Sequence, residues 1–218
     1  MTKVLTIGSA TMDVFVECDD ANIVSVCSKN KNSDFMSYPY GSKIDITTFS
    51  SNVGGGGVNT ACNFDNLGFD TSAIFKIGKD IYSEGILDSF KPRGVKLDNI
   101  IQKEDTSTGF SIILVSFQGD RTVLAHRGAN AEIREDEINY DAIKDADLIY
   151  VAPLNGESNK VLEPIVEYAH QQGTRICFNA GTTSIKRGFE HIKTILKSAH
   201  IVVMNKEEAT MTTGIQVR

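Results

Sequence analysis

The chain has 218 residues, which suits one domain with an appendage and buries roughly 70–75% of the unfolded surface without staples. Hydrophobic residues make up 41% and charged residues 23%, and 22 Lys and Arg against 28 Asp and Glu give a net charge of −6. That balance, with no block of basic residues, argues against a nucleic-acid surface, and no apolar run is long enough to span a membrane.

In chain order, Val4-Leu5-Thr6-Ile7 is a short apolar run before Gly8 and reads as a buried strand. It lacks the apolar core and cleavage site of a secretory leader. Val14-Phe15-Val16-Glu17 continues extended, and residues 19–39 are polar enough to predict an irregular surface excursion. Lys43-Ile44-Asp45-Ile46-Thr47 alternates and predicts a half-exposed strand. After the glycines at 54–57, Val58, Ala61, Cys62 and Leu67 have helical spacing, with Gly68 as the C-terminal stop. Residues 73–77 read as a strand and residues 81–90 as a helix. Residues 110–115 and 122–126 flank Gln118-Gly119-Asp120-Arg121, a hairpin signal.

From residue 148 the rhythm changes. Strands at 148–151, 175–178 and 201–204 alternate with helices at 159–171 and about 187–198. Short apolar strands separated by helices predict a parallel sheet, so the fold class is α/β with a small β appendage built before residue 130. Cys18, Cys27, Cys62 and Cys177 have no CxxC spacing, which fits free thiols in a reducing cytoplasm.

In open α/β sheets ligands bind beyond the carboxyl ends of the strands. That rule selects the stretches that begin at Gly8, Ala152, Asn179 and Asn205, all short and polar. The glycine run matches neither a dinucleotide fingerprint nor a P-loop, because Asn59 stands where a third glycine belongs and no Gly-Lys-Ser/Thr follows. Taken alone, the run reads as a structural turn, Asp13 as a turn aspartate, and Asn205 with Glu208 as an ordinary helix cap.

Gly55-Gly56-Gly57-Val58-Asn59-Thr60-Ala61, with Gly68 and Gly78 at fixed distances beyond, resembles the first signature of the ribokinase/PfkB family of carbohydrate kinases. Ile7-Gly8-Ser9 with Asp13 resembles the family's opening strand. Thr108-Gly109-Phe110, Gly119-Asp120-Arg121 and Gly128-Ala129-Asn130-Ala131 resemble its lid return, and Asn205-Lys206-Glu207-Glu208 resembles its N-x-x-E segment.

The resemblance implies a ribokinase-like fold: a mostly parallel sheet flanked by helices, with lid strands within 14–53 and 108–127 of one α/β domain over 1–218. It implies ATP-dependent phosphoryl transfer to a hydroxyl of a sugar or nucleoside, with Mg2+ as cofactor. Asp13, Gly55, Gly56, Asn59 and Asn155 would bind the substrate. Asn179, Asn205 and Glu208 would face the nucleotide phosphates, with Glu208 reaching Mg2+ through water. It also implies pairing of lid strands between two copies in a cytoplasmic enzyme.

Two departures from the pattern stand out. Gly57 occupies a position where ribokinases often carry lysine, which leaves fructose-type, phosphorylated-sugar and nucleoside substrates open. The Gly-Ala-Gly-Asp segment that supplies the family's general base does not occur in the 218 residues, where Gly119-Asp120 is the one Gly-Asp pair and reads as a hairpin turn. The chain therefore reads as the first two-thirds of a sugar kinase, lacking the base region. The alternative is a non-catalytic sugar- or nucleoside-binding protein, or a truncated remnant.

Overall fold

Alternating apolar strands and amphipathic helices dictate a layered fold, and a computed structural model shows its layout for residues 1–29 and 31–216, the residues it describes. Strands β1 (Lys3–Ile7), β2 (Thr11–Glu17), β3 (Asn22–Ser28), β4 (Lys31–Ser37) and β5 (Thr48–Gly54) come first. Next are α1 (Gly56–Asn66), β6 (Asp70–Ile74), β7 (Lys76–Gly78), α2 (Ile81–Phe90), β8 (Ile101–Lys103), β9 (Gly109–Val115) and β10 (Arg121–His126). The remainder is α3 (Tyr140–Lys144), β11 (Leu148–Val151), α4 (Leu162–Gln172), β12 (Arg175–Asn179), α5 (Gly181–Lys186), α6 (Phe189–Ser198), β13 (Ile201–Val203) and α7 (Lys206–Thr213).

The chain forms two compact units. The larger comprises Met1–Met12, Val53–Gly109 and the chain from Arg127 onward. Its sheet has five strands in the order β13-β12-β11-β1-β6, and every pairing is parallel. Leu5 and Ile7 join β11, β12, α4 and α6 in one buried cluster that includes Ile149, Phe178, Ile165 and Ile195. Val58 and Ala61 of α1 pack with Phe75, Ile86 and Phe90 in another. Parallel sheets need this cover on both faces, which explains why β1 and β12 are apolar runs rather than alternating ones. The strand order reverses at β1, with β6 on one side and β11 on the other, so the crevice for a ligand lies past the carboxyl ends of β1 and β11.

The smaller unit is Asp13–Asn52 with Phe110–His126. Its strands come from a four-stranded sheet, β10-β9-β2-β5, and from the separate pair β3-β4.

Several sequence expectations need correction. Residues 19–39 are not an irregular excursion. They hold the β3–β4 hairpin, in register from Asn22 opposite Ser37 to Ser28 opposite Lys31, with Val24 facing Phe35. Hydrophobicity missed it because both faces stay wet, and cross-strand pairs rather than burial hold it. Asn30 itself lies outside the described residues, as do Val217 and Arg218.

Residues 43–47 are not a strand, and regular pairing starts at Thr48. The single strand expected at 73–77 is two: β6 joins the main sheet, and β7 leaves it to pair with β8. The helix expected from residue 159 starts as a 3-10 segment, Gly156–Val161. Helix α5 was not anticipated, because its six residues are too few to show a period.

Candidate functional site

The carboxyl end of β1 is where the glycine run meets the sheet. Gly55, at φ 95°, caps α1 without a side-chain bond. Ser9 acts as the cap instead: its Oγ accepts from the Gly56 amide at 3.0 Å, and its carbonyl accepts from the Gly57 amide at 2.9 Å. The Val58 amide also reaches that carbonyl, at 3.4 Å. Thus the donors that a helix N-terminus can offer an anion are already engaged by Ser9. Close approach explains the glycines. A Cβ on Gly8 would lie 2.5 Å from the Gly57 nitrogen, and one on Gly55 would lie 2.5 Å from the Ser9 carbonyl oxygen.

Asn59 sits on the first turn of α1, exposed, and its side-chain amide makes no hydrogen bond among the described residues. Asp13 is carried by β2 and half-buried, and its carboxylate likewise has no hydrogen-bond or ion-pair partner there. At the end of β11, Asn155 accepts from Thr183 Oγ1 at 2.6 Å through its Oδ1, which leaves its Nδ2 unengaged among the described residues. Asn159, almost fully buried, braces this loop: it donates to the Leu154 carbonyl and to Ser184 Oγ, and its Oδ1 meets Arg187 and His191. Burial first, then the Arg187 charge, holds the His191 imidazole below its ordinary pKa of 6.5.

At the end of β12, Asn179 makes a long 3.4 Å contact to Tyr150 Oη. Asn205 and Glu208 form a reciprocal cap on α7. Glu208 N donates to Asn205 Oδ1 at 2.8 Å, and Asn205 N donates to Glu208 Oε2 at 3.1 Å. Thr182 Oγ1 donates to the other Glu208 oxygen at 3.3 Å. The helix-cap reading of this pair is therefore realised in full, while a carboxylate has about four lone-pair sites and so can accept from a further donor. No group of three acidic, histidine or cysteine side chains gathers among the described residues. Asn205 Nδ2 has no partner among the described residues and suits a phosphate oxygen.

Sequence reasoning placed Ser9 and Thr182 in strand-end stretches without giving either a role, and it missed Thr183. All three lie just beyond strand carboxyl ends, where the strand-end rule points, but their roles depend on partners far away in the chain. Gly119-Asp120 is confirmed as a turn: Gly119 has φ 87°, and Ser116 N donates to the Asp120 carbonyl at 2.8 Å.

A cavity of about 490 Å3 also opens in the larger unit, lined by Lys76, Lys103, Arg134, Asp105, Glu132 and Glu157. Its cations and carboxylates balance, so its lining favours neither sign of ligand.

The profile of the pfkB family of carbohydrate kinases matches residues 1–217. The chain belongs to that family. The bifunctional ribokinase/ribose-5-phosphate isomerase A of Fructilactobacillus sanfranciscensis is 27% identical over 100% of this chain and 37% of its own length. A Staphylococcus aureus ribokinase is 31% identical over 75% of this chain and 52% of its own length. Among solved structures, Arabidopsis thaliana ribokinase complexed with ribose and ATP superposes with a TM-score of 0.75 at 18% identity, over 98% of this chain and 64% of that one. The Burkholderia thailandensis nucleoside kinase in complex with inosine gives 0.71 at 16% identity, over 97% of this chain and 63% of that one. The fold is the ribokinase-like α/β fold. This pfkB-family chain thus spans about half the length or less of these two curated relatives. No helix among the described residues is long and apolar enough to cross a membrane.

Proposed function

We propose that this chain binds the acceptor substrate of a sugar or nucleoside kinase, and that the reaction is transfer of the γ-phosphoryl group of ATP to a substrate hydroxyl. The observation that carries this reading is the Asp13 carboxylate. In a pfkB-family chain it has no partner among the described residues, on the strand that follows the end of β1. An unpaired carboxylate accepts from several hydroxyls, and such charge-assisted bonds are about twice as strong as neutral ones. Asn59 and Asn155 add free amide donors for substrate oxygens. Gly55 and Gly56 bring backbone close to it. Bound ATP supplies the phosphoryl group, with Asn179 and Asn205 facing its phosphates and Glu208 orienting a water of the Mg2+ shell. Exposed Val24, Val26, Phe35 and Leu124 support pairing of two copies through the smaller unit.

Calorimetric titration with D-ribose, D-fructose and inosine tests the binding role. Asp13→Ala is expected to weaken binding about tenfold or more, as the loss of hydrogen bonds to a charged group does. A variant that binds like the parent sinks the assignment. Turnover of ATP with the same compounds then separates a kinase from a protein that only binds them.

A further inference from the structure

Asn130 makes two hydrogen bonds to one residue. It lies in the 3-10 turn Gly128–Ala131, only 4% exposed. Its Oδ1 accepts from the Ala10 amide at 2.8 Å, and its Nδ2 donates to the Ala10 carbonyl at 2.7 Å. This is the pattern a neighbouring strand would offer, supplied by a side chain where β1 has ended and β2 has not begun. On its other side is Gly109, the first residue of β9, where a Cβ would lie 2.0 Å from Asn130 Nδ2. The surrounding backbone is fixed as well. Ala129 N donates to the Ser107 carbonyl at 2.8 Å, Thr108 Oγ1 accepts from Gly78 N at 3.0 Å, and Thr108 N donates to Asp80 Oδ2 at 2.7 Å. Three passages of the chain are thereby tied within the larger unit, at residues 10, 107–109 and 128–130.

Core density alone would be met by an apolar side chain at 130. What an asparagine adds is the orientation of the Ala10 peptide. Side chains alternate along a strand, so a slip of one residue at the root of β2 turns each of its side chains to the opposite face. Asp13 is the third residue of that strand. Resting on the substrate-binding reading of Asp13, we infer that Asn130 is a positioning residue for it: by holding both polar groups of Ala10, it sets the face of β2 on which the carboxylate stands. Asn130 does not touch substrate, since its own polar atoms are engaged and buried.

The test compares Asn130→Ala and Asn130→Asp with a core control, Ile143→Val, a buried residue remote from these bonds in sequence. Urea unfolding reports stability, calorimetry with D-ribose, D-fructose and inosine reports binding, and amide hydrogen exchange reports residues 10–13. Asn130→Ala is expected to weaken binding about tenfold and to speed exchange at residues 10–13, while the control keeps the parent affinity. Asn130→Asp retains the acceptor for the Ala10 amide but sets a second oxygen against the Ala10 carbonyl, and is expected to weaken binding at least as much as the alanine variant. It also carries the comparison if the alanine variant does not fold. Equal loss of affinity in the control, or parent affinity in both Asn130 variants, overturns the inference. If the parent binds none of the three compounds, the substrate-binding reading fails by itself. Asn130 is then judged on exchange: faster exchange at residues 10–13 supports its hold on the strand root, and unchanged exchange overturns it.

Discussion

The larger and smaller units solve the same problem with different physics. In the larger, β1, β11 and β12 bury nearly every apolar side chain between two helical layers. In the smaller, Ala21 and Ile113 are the buried apolar residues among those described, while Val24, Val26, Phe35, Phe49, Val123 and Leu124 are exposed. Cohesion in the larger unit comes from area removed from water, and in the smaller from backbone ladders and cross-strand pairs.

The largest effect expected is at a buried ion pair in the larger unit. Lys76 is 3% exposed and donates to both Glu137 oxygens, at 2.9 and 3.0 Å, and to the Glu132 carbonyl. Glu137→Ala leaves that ammonium without its counter-charge and is expected to cost about 3–5 kcal/mol in urea unfolding. Loss of Asp34 from its exposed bond to Ser25 in the smaller unit should change stability by no more than about 0.5 kcal/mol. Comparable costs would erase the contrast.

Next in size are two leucines. Leu5→Ala, fully buried in β1, is expected to cost about 2–5 kcal/mol by cavity formation. Leu124→Ala, 53% exposed in β10, should cost less than about 0.5 kcal/mol. A large loss at Leu124 would mean that its face is covered in solution, which sedimentation of the same variant would check.

The smallest effect is on acid stability, and it also belongs to the larger unit. Burial pushes the Asp80 carboxyl up, but hydrogen bonds from Thr108 and Ser83 outweigh it and hold it below the ordinary 3.8. Burial and Lys76 act in the same opposed way on Glu137, with a net lowering from 4.5. Carboxyls lowered in the folded state stabilise it above the unfolded pKa, and that contribution fades as pH falls through the folded value. His191 is lowered too, so the unfolded chain takes up its proton first as pH drops below about 6.5, and stability declines there. Urea midpoints against pH should fall in two stages, and His191→Gln should flatten the upper one. An unchanged upper stage in that variant would assign it elsewhere.

Local signals were enough for much of this molecule. The apolar run of β1, the Gly119 hairpin of β9 and β10, helix α2 over residues 81–90 and the alternation of strands and helices after residue 148 all depend on neighbours a few residues apart. The same holds for the spacing of Gly55, Gly56 and Asn59 that marks the family, and for the reciprocal cap of Asn205 and Glu208. Tertiary structure decided what lies far apart in the chain. The wet β3–β4 hairpin has no buried face to give it a pattern. Phe75 divides β6 from β7 because two different partners pull the chain, and neither is local. Ser9 caps a helix 47 residues away, and Asn130 grips a peptide 120 residues away. Such contacts leave no period in the sequence, because their geometry exists only after the parallel sheet has brought the strand ends together.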